Sequence, residues 1–212
     1  ELNDIIVRKA ERYRDRGVVG IDLAGPERHT LEFGSVVDRY HDLFARAREA
    51  GLGTTIHTGE TSHTGADGVF AVLEKLQPDR IGHGIAAARN KELMRRLRGE
   101  GTVLELCPSS NIRTHAVSGW DELREVYQSL RDAGVRTTVN TDGTYLLRTT
   151  LRHEFELLLA PQVLEPDGVL RSIETARQAT FVPQARPANP QIGPWRLPAL
   201  PPDVGRNRRQ PS

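Results

Sequence analysis

Short runs of apolar and β-branched residues alternate along this chain with longer stretches of helical periodicity, and this alternation limits the possible folds most. The five runs cover residues 18–25, 54–60, 80–84, 103–108 and 137–143. Strands that alternate with helices are typical of a parallel sheet, in which all strands end at the same edge. Because polar or ionisable residues close the runs, the sequence predicts an α/β enzyme with its chemistry at the carboxyl ends of the strands.

The length of the chain indicates only part of a closed barrel. A complete (β/α)8 barrel typically takes about 250 residues, whereas this chain has 212 and five predicted strands. It begins at Glu1 without an initiator Met, and its sole Met is Met94. We therefore expect an incomplete (β/α)8 TIM barrel that belongs to a larger protein.

A change of composition near residue 183 divides the chain into two parts. Residues 1–182 carry all the predicted strands and helices, including a single predicted helix over 146–159 and a predicted loop over 108–111. Residues 183–212 are rich in proline and arginine and poor in aliphatic residues. Such a composition cannot bury enough apolar surface to fold, so we predict a disordered tail.

The charge and the cysteine content narrow the class of partner. The formal net charge is +1, with 29 basic and 28 acidic residues, so we expect no nucleic-acid partner and no anionic membrane. No apolar run approaches the roughly 20 residues of a membrane span. The single cysteine, Cys107, lies in an apolar strand and is expected to be a buried thiol. These features favour a cytoplasmic enzyme that acts on a small neutral substrate.

Four ionisable residues stand at the predicted ends of strands. His57 and Glu60 flank Thr58 and Gly59, His83 lies between two glycines, and Asp142 closes the last run. Taken singly, each has an ordinary explanation. His57 and Glu60 could be a loop histidine beside a solvated glutamate, His83 a histidine packed in the core, and Asp142 a turn residue. Taken together, they would converge on one mouth of the barrel. A mixed histidine and carboxylate set suits Zn²⁺, and a carboxylate that does not bind the metal can move a proton.

Five segments of the chain resemble, in order, the signature segments of adenosine deaminases and their relatives in the amidohydrolase superfamily. They are GIDLAG at 20–25, HTGE at 57–60, RIGHG at 80–84, LCPSSN at 106–111 and NTD at 140–142. The likeness extends from about residue 18 to residue 182. By this resemblance, the five strands correspond to about strands 4 to 8 of the barrel.

The resemblance implies a zinc-dependent hydrolytic deaminase of the EC 3.5.4 type, which converts the 6-amino group of a purine nucleoside to a carbonyl and releases ammonia. By motif, His57 and Asp142 would be metal ligands. Glu60 would protonate the purine nitrogen N1 as hydroxide attacks C6, and His83 would orient that hydroxide. The backbone of Gly25 would contact the purine.

Two departures from the family pattern affect these expectations. The HxH pair that supplies two further zinc ligands is absent from the chain and is expected upstream of Glu1, so the chain alone should bind zinc weakly. Gly143 stands where many adenosine deaminases have a second aspartate that contacts purine N7. We therefore rank adenosine first as the substrate and 6-amino-6-deoxyfutalosine second, with adenine as a further alternative.

Two other interpretations stay open at this point. One is a barrel hydrolase with two metal ions bridged by a lysine carboxylate, although all three lysines fall in predicted helices. The other is an inactive fragment, retained for binding or structure, that lacks the metal-binding HxH strand.

Overall fold

A computed structural model describes residues 2–25 and 34–182, with the side chains of residues 34–37 outside this description. Its five strands form one parallel sheet in the order β1-β2-β3-β4-β5. The strands are β1 (Gly20–Leu23), β2 (Gly53–Thr58), β3 (Arg80–His83), β4 (Val103–Leu106) and β5 (Thr137–Val139). Consecutive strands are neighbours and helices connect them, so the predicted α/β architecture is confirmed.

Helices precede β1 and follow the strands along the described chain. They are α1 (Leu2–Arg12), α2 (Gly34–Glu49), α3 (Gly65–Lys75), α4 (Lys91–Glu100), α5 (Pro108–Arg113), α6 (Trp120–Asp132), α7 (Thr144–Leu147), α8 (Leu151–Leu159) and α9 (Pro166–Ala179). Short 3₁₀ turns occupy Arg14–Arg16 and Ile85–Arg89.

The two faces of the sheet differ in polarity. Ile56 pairs with Ile81, and Ile81 pairs with Leu104, and all three side chains are fully buried in the main hydrophobic core. Because side chains alternate along a strand, the neighbouring positions point to the opposite face. There the Thr55 hydroxyl donates a hydrogen bond of 3.3 Å to Glu105. The apolar face therefore packs into the hydrophobic core, whereas the opposite face carries polar side chains that hydrogen-bond between strands.

The segment predicted as a loop at 108–111 is instead the start of helix α5. Pro108 takes the first helical position, where its missing N–H costs no hydrogen bond. The Asn111 amide then donates to the Cys107 carbonyl at 2.8 Å and closes the first turn. The loop prediction was wrong because proline, serine and asparagine are common in turns as well as in the first turn of a helix.

The helix predicted over 146–159 is broken in the structure. Helix α7 ends at Leu147, and its C-cap, Arg148, adopts a left-handed conformation with φ of 50°. Helix α8 then begins after Thr150, whose side chain accepts a hydrogen bond from the His153 amide at 3.2 Å. Thr150 is therefore an N-cap inside the predicted helix, and the helical spacing of Leu147 and Leu151 on either side concealed it.

Two further predictions concern the tail and membranes. The predicted disordered tail at 183–212 lies outside the described residues. Among the helices of the described part, none is long and apolar enough to cross a membrane. Cys107 is buried, as predicted.

Candidate active site

His57 lies at the carboxyl end of β2, against the chain of β3. Its Nδ1 atom lies 3.2 Å from Oδ1 of Asp22 on β1. This hydrogen bond raises the pKa of His57, burial opposes it, and the charge of Asp142 adds to the increase. A partner on Nδ1 leaves Nε2 as the ring nitrogen that could bind a metal ion.

The ring of His57 occupies the space above Gly82. A Cβ atom built on Gly82 would lie 2.8 Å from both Cγ and Cδ2 of the imidazole. Gly82 has no positive φ, so its role is to leave room for the ring. The register agrees, because His57 pairs directly with Gly82.

We expect Gly82→Ala to push the His57 ring out of position. Crowding of this kind costs about 1–3 kcal/mol of folding free energy, which urea denaturation measures. Gly99→Ala in α4 is the matched control, because a Cβ there meets no atom of residues 2–25 and 34–182 within 4 Å and alanine favours the helix by about 1 kcal/mol. Equal stability of the two variants would contradict this packing role for Gly82.

His83 and Glu60 face each other at the ends of β3 and β2. The Nε2 atom of His83 lies 3.5 Å from Oε2 of Glu60. The His83 side chain is 4% exposed, and its ring centroid lies 5.6 Å from that of His57. Glu60 also accepts a hydrogen bond of 2.8 Å from the hydroxyl of Thr114. The structure thus brings together three of the predicted site residues.

Asp142 lies beyond the end of β5, on the same edge of the sheet. Its Oδ2 atom accepts a hydrogen bond of 2.7 Å from the Ser110 hydroxyl. Its carboxylate is close enough to help raise the pKa of Cys107, for which burial is the larger cause. Asp142 has a positive φ of 54°, a conformation uncommon for residues other than glycine. The Asp142 carboxylate thus lies at the same edge of the sheet as His57 and His83, where the strands end.

Gly25 stands two residues after β1, at this same edge. Its φ is 144°, and among the described residues no atom lies within 4 Å of a Cβ built there. Glycine has no side chain to cover its own backbone, which lets a flat ligand approach it. The purine contact assigned to Gly25 stays a prediction.

These residues supply only two candidate ligands for a metal ion. Within residues 2–25 and 34–182, no three His, Cys, Asp or Glu side chains are arranged to hold a metal ion. His57 and Asp142 have the donor chemistry that zinc accepts, but catalytic zinc sites use about three protein ligands and an open position. The pair therefore fits zinc as part of a ligand set that needs further donors.

Four residues that contact the predicted site residues were given no role by the sequence. Asp22 contacts His57, Ser110 contacts Asp142, and Thr114 contacts Glu60. Asn111 contacts His83 at 2.9 Å. Asp22 gave a physical signal, because a carboxylate inside an apolar strand needs a partner. Asp22, Ser110 and Asn111 also lay within family-like segments, and Thr114 gave no signal.

A cavity of about 1000 Å³ opens beside Glu60. Its walls come from the segments after β2, β3 and β4 and include His63, Arg89 and His115. This volume exceeds that of a purine base and lies within the range of small-molecule sites. A second cavity, of about 570 Å³, lies at the amino ends of the strands and includes none of the predicted site residues.

Comparison with known proteins identifies the family. The profile of the adenosine deaminase family matches residues 1–188. The chain belongs to the adenosine deaminase family. This membership favours the deaminase interpretation over a hydrolase with two bridged metal ions.

A curated relative of this adenosine deaminase family chain comes from Rhizobium rhizogenes. The two sequences are 39% identical over 168 residues, and the relative is named adenine deaminase. The match covers 79% of this chain and 49% of the relative. The chain thus spans about half the length of the curated relatives that it matches.

Two solved structures agree with the fold. The N6-mAMP deaminase of Arabidopsis is 27% identical and superposes with a TM-score of 0.70, covering 86% of this chain and 51% of its own. A zinc-bound amidohydrolase from Burkholderia ambifaria is 22% identical with a TM-score of 0.70, covering 86% and 50%. The five-stranded sheet is therefore part of a TIM barrel, as the sequence predicted.

Proposed function

We propose that the protein containing this chain catalyses the zinc-dependent hydrolytic deamination of a 6-aminopurine. The observation that carries the proposal is the placement of His57, Glu60, His83 and Asp142 at one edge of the sheet, with Glu60 and His83 3.5 Å apart. Membership of the adenosine deaminase family supports an enzyme of the hydrolase type. The zinc-bound structural neighbour supports the choice of metal.

In this proposal the carboxyl group of Glu60 moves the proton. Attack at C6 of the purine places negative charge on N1 unless a proton arrives there, and Glu60 delivers that proton. The Thr114 hydroxyl, 2.8 Å from Oε1, fixes the rotation of the carboxyl group. The second oxygen of Glu60, Oε2, lies on the side of His83, 3.5 Å from Nε2.

His83 orients the attacking oxygen and stabilises the charge that develops on it. His57 and Asp142 would hold the zinc ion, together with further ligands, which the family pattern places before Glu1. A bound zinc ion would supply Lewis acidity, which lowers the pKa of water to about 7. Asp22 and Ser110 keep the two ligands in position through their hydrogen bonds.

The identity of the purine follows from the relatives more than from the site. The sequence ranked adenosine first, whereas the relatives of high identity are named adenine deaminase. Gly143 has no side chain for the purine N7 atom, and N7 is common to adenine and adenosine, so this position does not choose between them. We therefore propose adenine as the first substrate, with adenosine and aminodeoxyfutalosine as alternatives. We propose that the reaction takes place in the cytoplasm, without nucleic acid or membrane.

An ultraviolet assay tests the proposal. The protein that contains this chain, loaded with zinc, is incubated with adenine, adenosine and aminodeoxyfutalosine, and ammonia is measured in parallel. Guanine is the control, because its position 6 carries an oxygen and has no amine to lose. We expect ammonia from at least one 6-aminopurine in a 1:1 ratio to the spectral change. If none of the three 6-aminopurines is deaminated, the proposed reaction is refuted.

A polypeptide of this sequence alone should bind zinc poorly, because the described residues offer two candidate ligands. We expect the purified chain, after dialysis against metal-free buffer, to retain well under one zinc ion per molecule by atomic emission. One tightly held ion per chain would show that the ligand set is complete without further donors. His57→Ala is the matched variant, and it should lower any residual binding.

A further inference from the structure

We propose that Asn111 sets the tautomer of His83, so that the proton of the neutral ring resides on Nε2 and faces Glu60. Asn111 is therefore a positioning residue that acts through His83. Sequence motifs alone did not assign it a role. The inference rests on the proposed function only where turnover is measured.

The orientation of the Asn111 amide is fixed by its second partner. The backbone N–H of Cys107 points to Oδ1 of Asn111 at 3.2 Å. A backbone N–H can only donate a hydrogen bond, so the atom that it meets must be the amide oxygen. The NH₂ group of Asn111 then faces Nδ1 of His83 at 2.9 Å.

The tautomer of His83 follows from this orientation. An amide NH₂ group can only donate, so Nδ1 of His83 must accept and carries no proton. In the neutral imidazole the proton then resides on Nε2. This nitrogen lies 3.5 Å from Oε2 of Glu60, which is longer than a normal N–H···O hydrogen bond. His83 therefore presents an N–H donor on the side of the ring where the Glu60 carboxyl group lies.

The surroundings hold Asn111 rigidly. Its side chain is fully buried, and its backbone amide and carbonyl bond to Cys107 and Val117 at 2.8 and 3.2 Å. The carboxylate of Glu154, also fully buried, accepts from the Ser109 amide at 3.0 Å and fixes the first turn of α5. The carboxamide therefore has little freedom to flip.

This arrangement decides how His83 takes part in the chemistry. With its proton on Nε2, His83 donates a hydrogen bond toward the mouth of the barrel. It then stabilises an oxygen and does not act as the base that removes a proton from water. The proton transfer is left to Glu60.

The test reads the tautomer directly in the protein that contains this chain. Two-bond ¹H–¹⁵N correlation spectra of the histidine rings are recorded at pH about 8.5, two units above the ordinary histidine pKa. The signals of His83 are assigned with His83→Gln. We expect the wild-type spectrum to show the proton on Nε2. A proton on Nδ1 of wild-type His83 would overturn the inference.

A second test measures the kinetics of the Asn111→Asp variant. The carboxylate has the same shape and still accepts from Cys107, but it presents an acceptor to Nδ1, so we expect the ring proton to move there. We expect kcat to fall by a factor on the order of 10² or more, with a smaller change in KM. Asn90→Asp is the control, because Asn90 caps α4 through its Oδ1 atom, away from the site, and aspartate caps equally well.

The outcomes separate this inference from the proposed function. If Asn111→Asp leaves the tautomer of His83 or kcat unchanged, Asn111 does not position the ring. If Asn111→Asp does not fold, the wild-type spectrum still decides, and Asn111→Ala should show a mixture of both tautomers. If no 6-aminopurine is deaminated by the wild type, the proposed function fails, whereas the spectrum tests the tautomer independently.

Discussion

Glu60→Gln is expected to lower kcat by a factor on the order of 10² or more, because the carboxamide cannot deliver a proton to N1 of the purine. The replacement has the same size and keeps an oxygen that can accept from Thr114. KM should change much less than kcat, since the shape of the site is preserved. The measurement is steady-state deamination followed by ultraviolet absorbance in the protein that contains this chain.

The control for this variant is Glu156→Gln, which makes the same chemical change on an exposed side chain in α8. Its kcat should equal that of the wild type. Full activity of Glu60→Gln would exclude Glu60 as the proton donor.

Asp142→Asn is expected to reduce both zinc affinity and turnover. Removal of a residue that hydrogen-bonds to a metal ligand typically lowers metal affinity or activity by about 10–100-fold. Removal of an anionic ligand itself should lower them more. We therefore expect a fall of more than about 100-fold in zinc affinity, measured by competition with a chelating dye, and a parallel fall in kcat. The Asn oxygen can still accept from Ser110, so the fold should persist.

Asp132→Asn is the matched control for Asp142→Asn, because Asp132 is an exposed carboxylate that pairs with Arg131 on the surface. It should bind zinc as the wild type does. Excess zinc should restore part of the activity of Asp142→Asn if the defect is in affinity. Wild-type zinc affinity in Asp142→Asn would contradict the assignment of Asp142 as a ligand.

Much of the sheet could be predicted because buried parallel strands leave a strong local signal. The runs that contain Ile56, Ile81 and Leu104 are short, apolar and bounded by glycine or polar residues, and all three side chains are buried. The boundaries of the helices could not be predicted as well. Thr150 is an N-cap inside the single helix that was predicted, and Pro108 begins a helix where a loop was predicted. Both residues are ambiguous until their hydrogen bonds are known.

The candidate site was predicted at the level of residue types, and its supporting contacts were not. Asp22 reaches His57 across 35 residues of sequence, a contact that depends on the register of β1 and β2. The partners of His83 and Asp142 come from α5, the helix that the sequence assigned to a loop. The positive φ values of His83 and Asp142 also turn these side chains in a way that no spacing reveals.

Anomalous diffraction at the zinc absorption edge tests the central claim most directly, on crystals of the protein that contains this chain grown with zinc and a 6-oxopurine product. We predict one zinc peak bound by Nε2 of His57 and a carboxylate oxygen of Asp142, with the purine N1 atom at the Glu60 carboxyl group. A zinc peak that these two residues do not share, or a purine bound at the amino ends of the strands, would contradict the account.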